Sequence, residues 1–313
     1  MKNGRELLIF GAGGMLGTAL RRAAERWDLV VRAYPEAELD ITDRSAVQEA
    51  VADFAAHAAR GGFLGTVVNA AAYTDVEKAE DHRERAHLVN GLAAGWVAAA
   101  ALKENLDLVH VSTDFVFDGA KTGAYDESDE PRPMNAYGSS KLAGEKAVLS
   151  SHPAALIIRT AWTYGPGGTN FPLKILQRAR AAKRSATVPA GVTPVGAEPG
   201  SPALQVVADE IGSPTYSIDL ADGLLALLAA GATGLYHLAG GGSCSRYELA
   251  LETLRLAGFA IPGDITVRPV APEAFPTKAM RPRNSVLDCT KAAGLGVRLP
   301  EWQDGLARFI VEL

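Results

Sequence analysis

The stretch LLIFGAGGMLGTALRRAAE, residues 7–25, joins four apolar residues to three glycines spaced three apart and then to an amphipathic run. Leu7 to Phe10 reads as a buried strand and Met15 to Glu25 as a helix, with Gly11, Gly14 and Gly17 at the join. Glycine permits the tight turn and lets backbone approach a pyrophosphate, whose charge the free N–H groups and dipole of the following helix attract. The commoner fingerprint places glycine at position 16, where this chain has Leu16.

Working outward, apolar runs at Leu29 to Arg32, Thr66 to Ala70, Leu108 to Ser112 and Ala155 to Thr160 alternate with helical stretches. Those stretches are Arg44 to Arg60, Arg83 to Glu104 and Tyr137 to Ser150. This rhythm predicts α/β architecture, a doubly wound, Rossmann-like parallel sheet. After Thr160 prolines become frequent, and helices near Phe171 to Ala182 and Tyr247 to Ala257 stand between irregular segments. We therefore expect a dinucleotide-binding domain over 1–168, rejoined by about 215–240, and a smaller, interleaved α/β substrate-binding domain from 169–214 and 241–313. Lys183 to Ala203 is almost entirely Pro, Gly, Ala, Val, Ser and Thr, so a mobile loop is expected there.

Composition excludes several classes. The chain has 313 residues, 48% hydrophobic and 21% charged, with a formal net charge of -5. That profile is globular and argues against disorder, a nucleic-acid-coating surface and a disulfide-stapled miniprotein. The apolar run Leu92 to Leu102 is too short for a membrane span, which needs about 20 residues. Lys2, Arg5 and Glu6 interrupt the start of the chain, so no secretory signal is read and a cytoplasmic protein is expected. Cys244 and Cys289 are isolated thiols without metal-ligand spacing to the six histidines, so neither a disulfide nor a bound metal is expected.

Tyr137-Gly-Ser-Ser-Lys141 begins a predicted helix, where residues four apart share a face and can address one site. A nearby cation favours phenolate, so Lys141 is expected to lower the Tyr137 pKa. Thr113 lies 24 residues upstream at the end of a predicted strand, where doubly wound sheets place their ligands. Asp40 has two open readings, acceptor for an adenine or helix cap near Thr42 or Asp43.

These motifs resemble the extended short-chain dehydrogenase/reductases. Within that superfamily, Asn69 to Asp75, Ser112 to Gly119, Arg159 to Gly165, Asp209 to Thr215, Arg281 to Asp288 and Leu299 to Gly305 are similar to signatures of the dTDP-4-dehydrorhamnose reductase family. The resemblance spans nearly the whole chain and departs from it at the segment from about Lys183 to Ala203. It implies hydride transfer from NADPH or NADH to C4 of a dTDP-4-keto sugar. In that reading Thr113 hydrogen-bonds the substrate oxygen, Tyr137 supplies its proton, Lys141 binds the nicotinamide ribose and Asn90 completes a proton relay. It further implies cofactor contacts from Gly11, Gly14, Met15, Leu16, Gly17, Asp40, Ile41, Asn69, Ala70 and Ala71, besides Tyr137 and Lys141.

The resemblance also implies that Thr74, Asp114 and Trp162 line the sugar pocket and that Asn170 and Arg283 meet the nucleotide diphosphate. Trp162 as plain core packing and Arg283 as a solvated loop charge stay open alternatives. Three rival functions were weighed. A dehydratase is associated with a carboxyl acid at 115, where Phe115 stands. An epimerase fits the segments after Asp209 poorly, and a catalytically silent regulatory subunit would not need the Thr113, Tyr137 and Lys141 set. The expected partner is a dTDP-sugar, with no nucleic acid and no membrane. A homodimer is the candidate assembly. Cofactor preference stays open, because Arg32 is followed closely by Glu36 and Glu38.

Overall fold

The computed structural model describes residues 4–186 and 203–313. Six parallel strands form the central sheet: β1 (Arg5–Phe10), β2 (Val30–Tyr34), β3 (Leu64–Asn69), β4 (Asp107–Thr113), β5 (Leu156–Thr160) and β6 (Gly234–His237), in the order β6-β5-β4-β3-β1-β2. Both faces are covered, so the strands are apolar at consecutive positions and do not alternate with polar residues. Leu7 and Ile9 of β1 pack on one side against Leu20 and Leu224 of the helices Met15–Arg26 (α1) and Ser217–Ala229. Leu8 and Phe10 pack on the other side against Val51, Phe54 and Val97 of Arg44–Gly61 (α2) and Ala94–Lys103.

The chain leaves β1 in one direction to β2, then returns past β1 to β3. The reversal opens a crevice between β1 and β3 at the carboxyl ends of the strands, where such sheets bind ligands. The segment that includes Ser217–Ala229 and β6 returns to this sheet, β6 pairing in parallel with β5. A second core surrounds a parallel pair of strands, Ala203–Val207 and Thr266–Val270, packed on the helices Phe171–Ala186 and Arg246–Leu256.

Three details depart from expectation. The helix expected to end near Ala182 continues to Ala186, because Lys183 and Arg184 are good helix formers and no proline interrupts them. The remainder of the expected loop, 187–202, lies outside the described residues, and Ala203 already belongs to a strand. The long helix expected from Arg83 to Glu104 is continuous but is wound as a π-turn over Leu88–Ala93. Among the described residues no helix is long and apolar enough to cross a membrane.

Candidate active site

At the end of β1 the glycines divide into two kinds. Gly11 has φ +78°, and a Cβ on it would stand 2.5 Å from the Ala71 nitrogen; a Cβ on Gly17 would meet the Gly11 carbonyl. Those two are required by the protein itself. Gly14 caps α1 in extended conformation, and the nearest atom to a Cβ there is the Gly11 carbonyl at an ordinary 3.4 Å. Nothing in the chain demands glycine at that position, which leaves open space in front of the α1 N-terminus. That terminus carries no side-chain cap and no acidic residue in its first turn, so the amides of Met15, Leu16 and Gly17 face an anion-compatible opening. The cradle fits a dinucleotide pyrophosphate.

Across the crevice Asn69 accepts a hydrogen bond from the Ala71 N–H at 3.2 Å and lies 3.3 Å from His110 Nδ1, fixing the Ala70–Ala71 turn against Gly11. Asp40 is engaged within the protein. Its carboxylate accepts from the Thr42 N–H and hydroxyl at 2.9 and 2.8 Å and from Arg85 at 2.9 Å. Burial opposes ionisation, yet these bonds hold its carboxyl below the usual range. The capping role at α2 belongs to Asp43, which accepts from the Ser45 and Ala46 N–H groups. Ile41 is buried in the core beside α2, so only its backbone faces outward.

The side chains expected to be catalytic gather where β4 ends. The helix Ala136–Ser151 begins at the Asn135 cap, whose side chain accepts from Gly138 N–H at 2.8 Å and donates to the Met280 carbonyl. Gly138 lies directly on the Phe115 carbonyl, where a Cβ could not fit, so the helix start sits against the turn after Thr113. This brings Tyr137 beside Thr113, whose hydroxyl acts on the phenol. Thr113 in turn donates to Asp114 Oδ1 at 3.0 Å.

Burial raises the Tyr137 pKa to about 12, only partly opposed by the Thr113 hydroxyl. This corrects the expectation of a lowered value. Lys141 shares the helix face but donates to the Val111 carbonyl at 2.5 Å, and burial lowers its own pKa to about 8. Asn90 sits in the π-turn, with its side chain holding Tyr73 N–H at 2.8 Å, Tyr73 carbonyl at 3.0 Å and Ser140 hydroxyl at 2.9 Å. That side chain is fully engaged as an anchor for the Tyr137 helix.

Beside this group opens a cavity of about 960 Å³ lined by Trp162, Asn170, Phe171, Arg246 and Arg283, among others. Asn170 caps the helix that follows it, accepting from Leu173 N–H at 3.1 Å and donating to the Gly165 carbonyl at 3.0 Å. Arg283 is 76% exposed and forms an ion pair with Asp209 at 3.8 Å. Asp114 is buried with Oδ2 lacking a hydrogen-bond partner, and burial raises its pKa to about 6. Thr74 stands exposed in the loop after β3 and is not among the residues that line this cavity. Sequence reading passed over Arg246, Lys174, Arg178 and Glu210, which also line the cavity. Lys174, Arg178 and Arg246 carry only an ordinary helix charge pattern, and Glu210 lies in a loop before a two-residue strand.

The family model described as the RmlD substrate binding domain matches residues 5–190 and 197–313. The chain is 37% identical over 306 residues to a dTDP-4-dehydrorhamnose reductase of Mycolicibacterium smegmatis, covering 96% of this chain and 84% of that one. It is 40% identical over 291 residues to a dTDP-4-keto-6-deoxy-D-glucose reductase of Streptomyces niveus, covering 92% and 91%. The solved dTDP-4-dehydrorhamnose reductase of Bacillus anthracis, in complex with NADP, superposes with a TM-score of 0.85 at 33% identity, covering 99% of this chain and all of that one.

Proposed function

The chain belongs to the dTDP-4-dehydrorhamnose reductase family, and from that premise we propose that it reduces the C4 ketone of dTDP-4-dehydro-L-rhamnose to dTDP-L-rhamnose with NADPH or NADH. The observation that carries the reading is the convergence of Thr113, Tyr137 and Lys141 at the end of β4, beside a glycine turn opened at Gly14. Reduced nicotinamide supplies the hydride when bound. The α1 N-terminus would hold its diphosphate, the Asn69–Ala71 turn would flank it, and Lys141 would bind its ribose.

The protein's own residues account for the proton. The Thr113 hydroxyl turns from Asp114 to the ketone oxygen and fixes its position. Tyr137, kept as neutral phenol by burial, gives its proton to the oxygen as negative charge develops there. A phenol is the form an acid requires, so the raised pKa suits reduction. Since the Asn90 side chain is engaged, any relay that restores the proton would run through its main-chain carbonyl, which lies against Gly144 on the Tyr137 helix. At position 115, where a dehydratase would place an acid, the Phe115 ring meets the Tyr137 ring edge-on at 5.7 Å.

Residues 1–168 and 215–240 would form the cofactor-binding part, and 169–214 with 241–313 the substrate-binding part. The nucleotide diphosphate would reach Arg283 and Asn170 at the cavity, with Thr74, Asp114 and Trp162 around the sugar. We place the enzyme in the cytoplasm, as a partner of a diffusible nucleotide cofactor. As assembly we propose a homodimer through the exposed Leu92 and Leu149 of adjoining outer helices, and a monomer in sedimentation would remove it. The function is tested by supplying dTDP-4-keto-6-deoxyglucose with reduced cofactor. Little turnover is expected until a 3,5-epimerase is added, after which dTDP-L-rhamnose should accumulate; no sugar product despite nucleotide binding would favour a silent binding subunit.

A further inference from the structure

Arg246 opens the helix after the Ser245 capping box, yet its side chain turns inward and is only 15% exposed. Its guanidinium lies 3.4 Å over the Trp162 ring and 5.1 Å from Phe171. On Trp162, the indole also lies against Gly212, so closely that a Cβ on Gly212 would overlap it. Trp162 itself has φ +45°, a conformation that a bulky side chain keeps only where its surroundings enforce it. The indole is clamped, and the guanidinium is therefore held in a fixed plane.

Of the donors on this guanidinium only Nε is engaged among the described residues, by Glu210 at 3.5 Å. Asp114 lies within electrostatic range of Arg246; its Oδ1 accepts from Thr113, the Ser285 hydroxyl stands beside the carboxylate, and Oδ2 is buried without a geometric hydrogen bond. Open donors and an open acceptor thus flank the reacting hydroxyls. Buried polar groups of this kind are costly unless a ligand completes them. A diphosphate is a poor match for this spot, because Asp114 would repel it. The more exposed cations Arg281 and Arg283 also line the cavity and suit a diphosphate better.

We infer that Arg246, stacked over Trp162, acts with Asp114 as the sugar-reading pair: the guanidinium donates to the oxygen of a sugar hydroxyl on a carbon next to the reacting one, while Asp114 accepts from another sugar hydroxyl. Arg246 is thereby a specificity-determining residue. This rests on the reductase reading and deepens it, since relatives of similar identity are named for different 4-keto sugars.

The test is calorimetric titration of wild type and Arg246→Gln, in the presence of oxidised cofactor, with dTDP and with dTDP-L-rhamnose. Arg246→Gln should weaken dTDP-L-rhamnose about 10- to 100-fold and leave dTDP within about 3-fold, and kcat/KM on the keto sugar should fall in parallel. Equal weakening of both ligands would make Arg246 a diphosphate anchor, and no weakening of either would make it scaffolding; each result overturns the inference. Should Arg246→Gln not fold, Arg246→Lys keeps the charge, cannot lie flat, and is judged by the same comparison. Wild type that binds the sugar nucleotide more tightly than dTDP without reducing any ketone would refute the reductase reading while leaving the Arg246 comparison decisive. Wild type with no such preference would overturn the inference directly.

Discussion

Tyr137 and Asp114 show how burial at one point can adjust two groups for different tasks. Tyr137 is raised to about 12 and stays protonated throughout the neutral range. Tyr137→Phe should lower kcat by about 10²-fold or more and leave cofactor affinity nearly intact, because only the hydroxyl is lost. Steady-state rates within a fewfold of wild type would remove it from the mechanism. Asp114 is raised from 3.8 to about 6 by burial, so the folded state favours its protonated form. The stability linked to that proton is fully present below pH 3.8 and is lost as pH rises through about 6. Asp114→Asn should therefore flatten this part of the stability curve between pH 4 and 7, measured by denaturant melts, at the cost of activity. An unchanged slope across that window would mean that the carboxyl ionises freely in the fold.

At the scale of elements, the turn from β1 into α1 makes the clearest division between folding and binding. Gly14→Val should leave the melting temperature without ligand close to wild type and remove most of the rise caused by cofactor, since its side chain enters only the open space before the helix. Gly11→Val should fail to fold, because its Cβ is driven into the Ala71 backbone. If Gly14→Val keeps the full cofactor-induced rise, the pyrophosphate lies elsewhere. The same turn was legible in the sequence because its signals are local: apolar run, glycines at three-residue spacing, helix period. Strand and helix positions were readable for the same reason. The π-turn at Asn90 was not, since an inserted residue in a helix leaves no mark on an Ala-rich pattern. Nor was Arg246 legible, because its partner Trp162 comes from a distant segment and nothing near Arg246 in sequence encodes the stack. Asp40 could be read two ways because Thr42 is local but Arg85 is not.

Across the whole molecule, the reacting helix is tied to the sheet by a buried pair. Glu145, one turn beyond Lys141, accepts from Arg159 of β5 at 2.8 and 2.7 Å and from Ser112 of β4 at 2.5 Å. Removing one partner would leave a buried charge, so Arg159→Met should cost about 3–5 kcal/mol of stability, read by chemical denaturation. A loss under about 1 kcal/mol would show that water reaches Glu145 and that the helix is held by other contacts. That tie joins the ends of β4 and β5 to the helix of Tyr137 and Lys141, where the proposed reaction would take place. Cofactor and sugar would be brought together there to reduce a ketone. The most direct measurement follows nicotinamide absorbance and sugar product together during turnover of dTDP-4-dehydro-L-rhamnose. One reduced nicotinamide should be oxidised for each dTDP-L-rhamnose formed; sugar product appearing with no net oxidation of nicotinamide would rule out the reductase reaction.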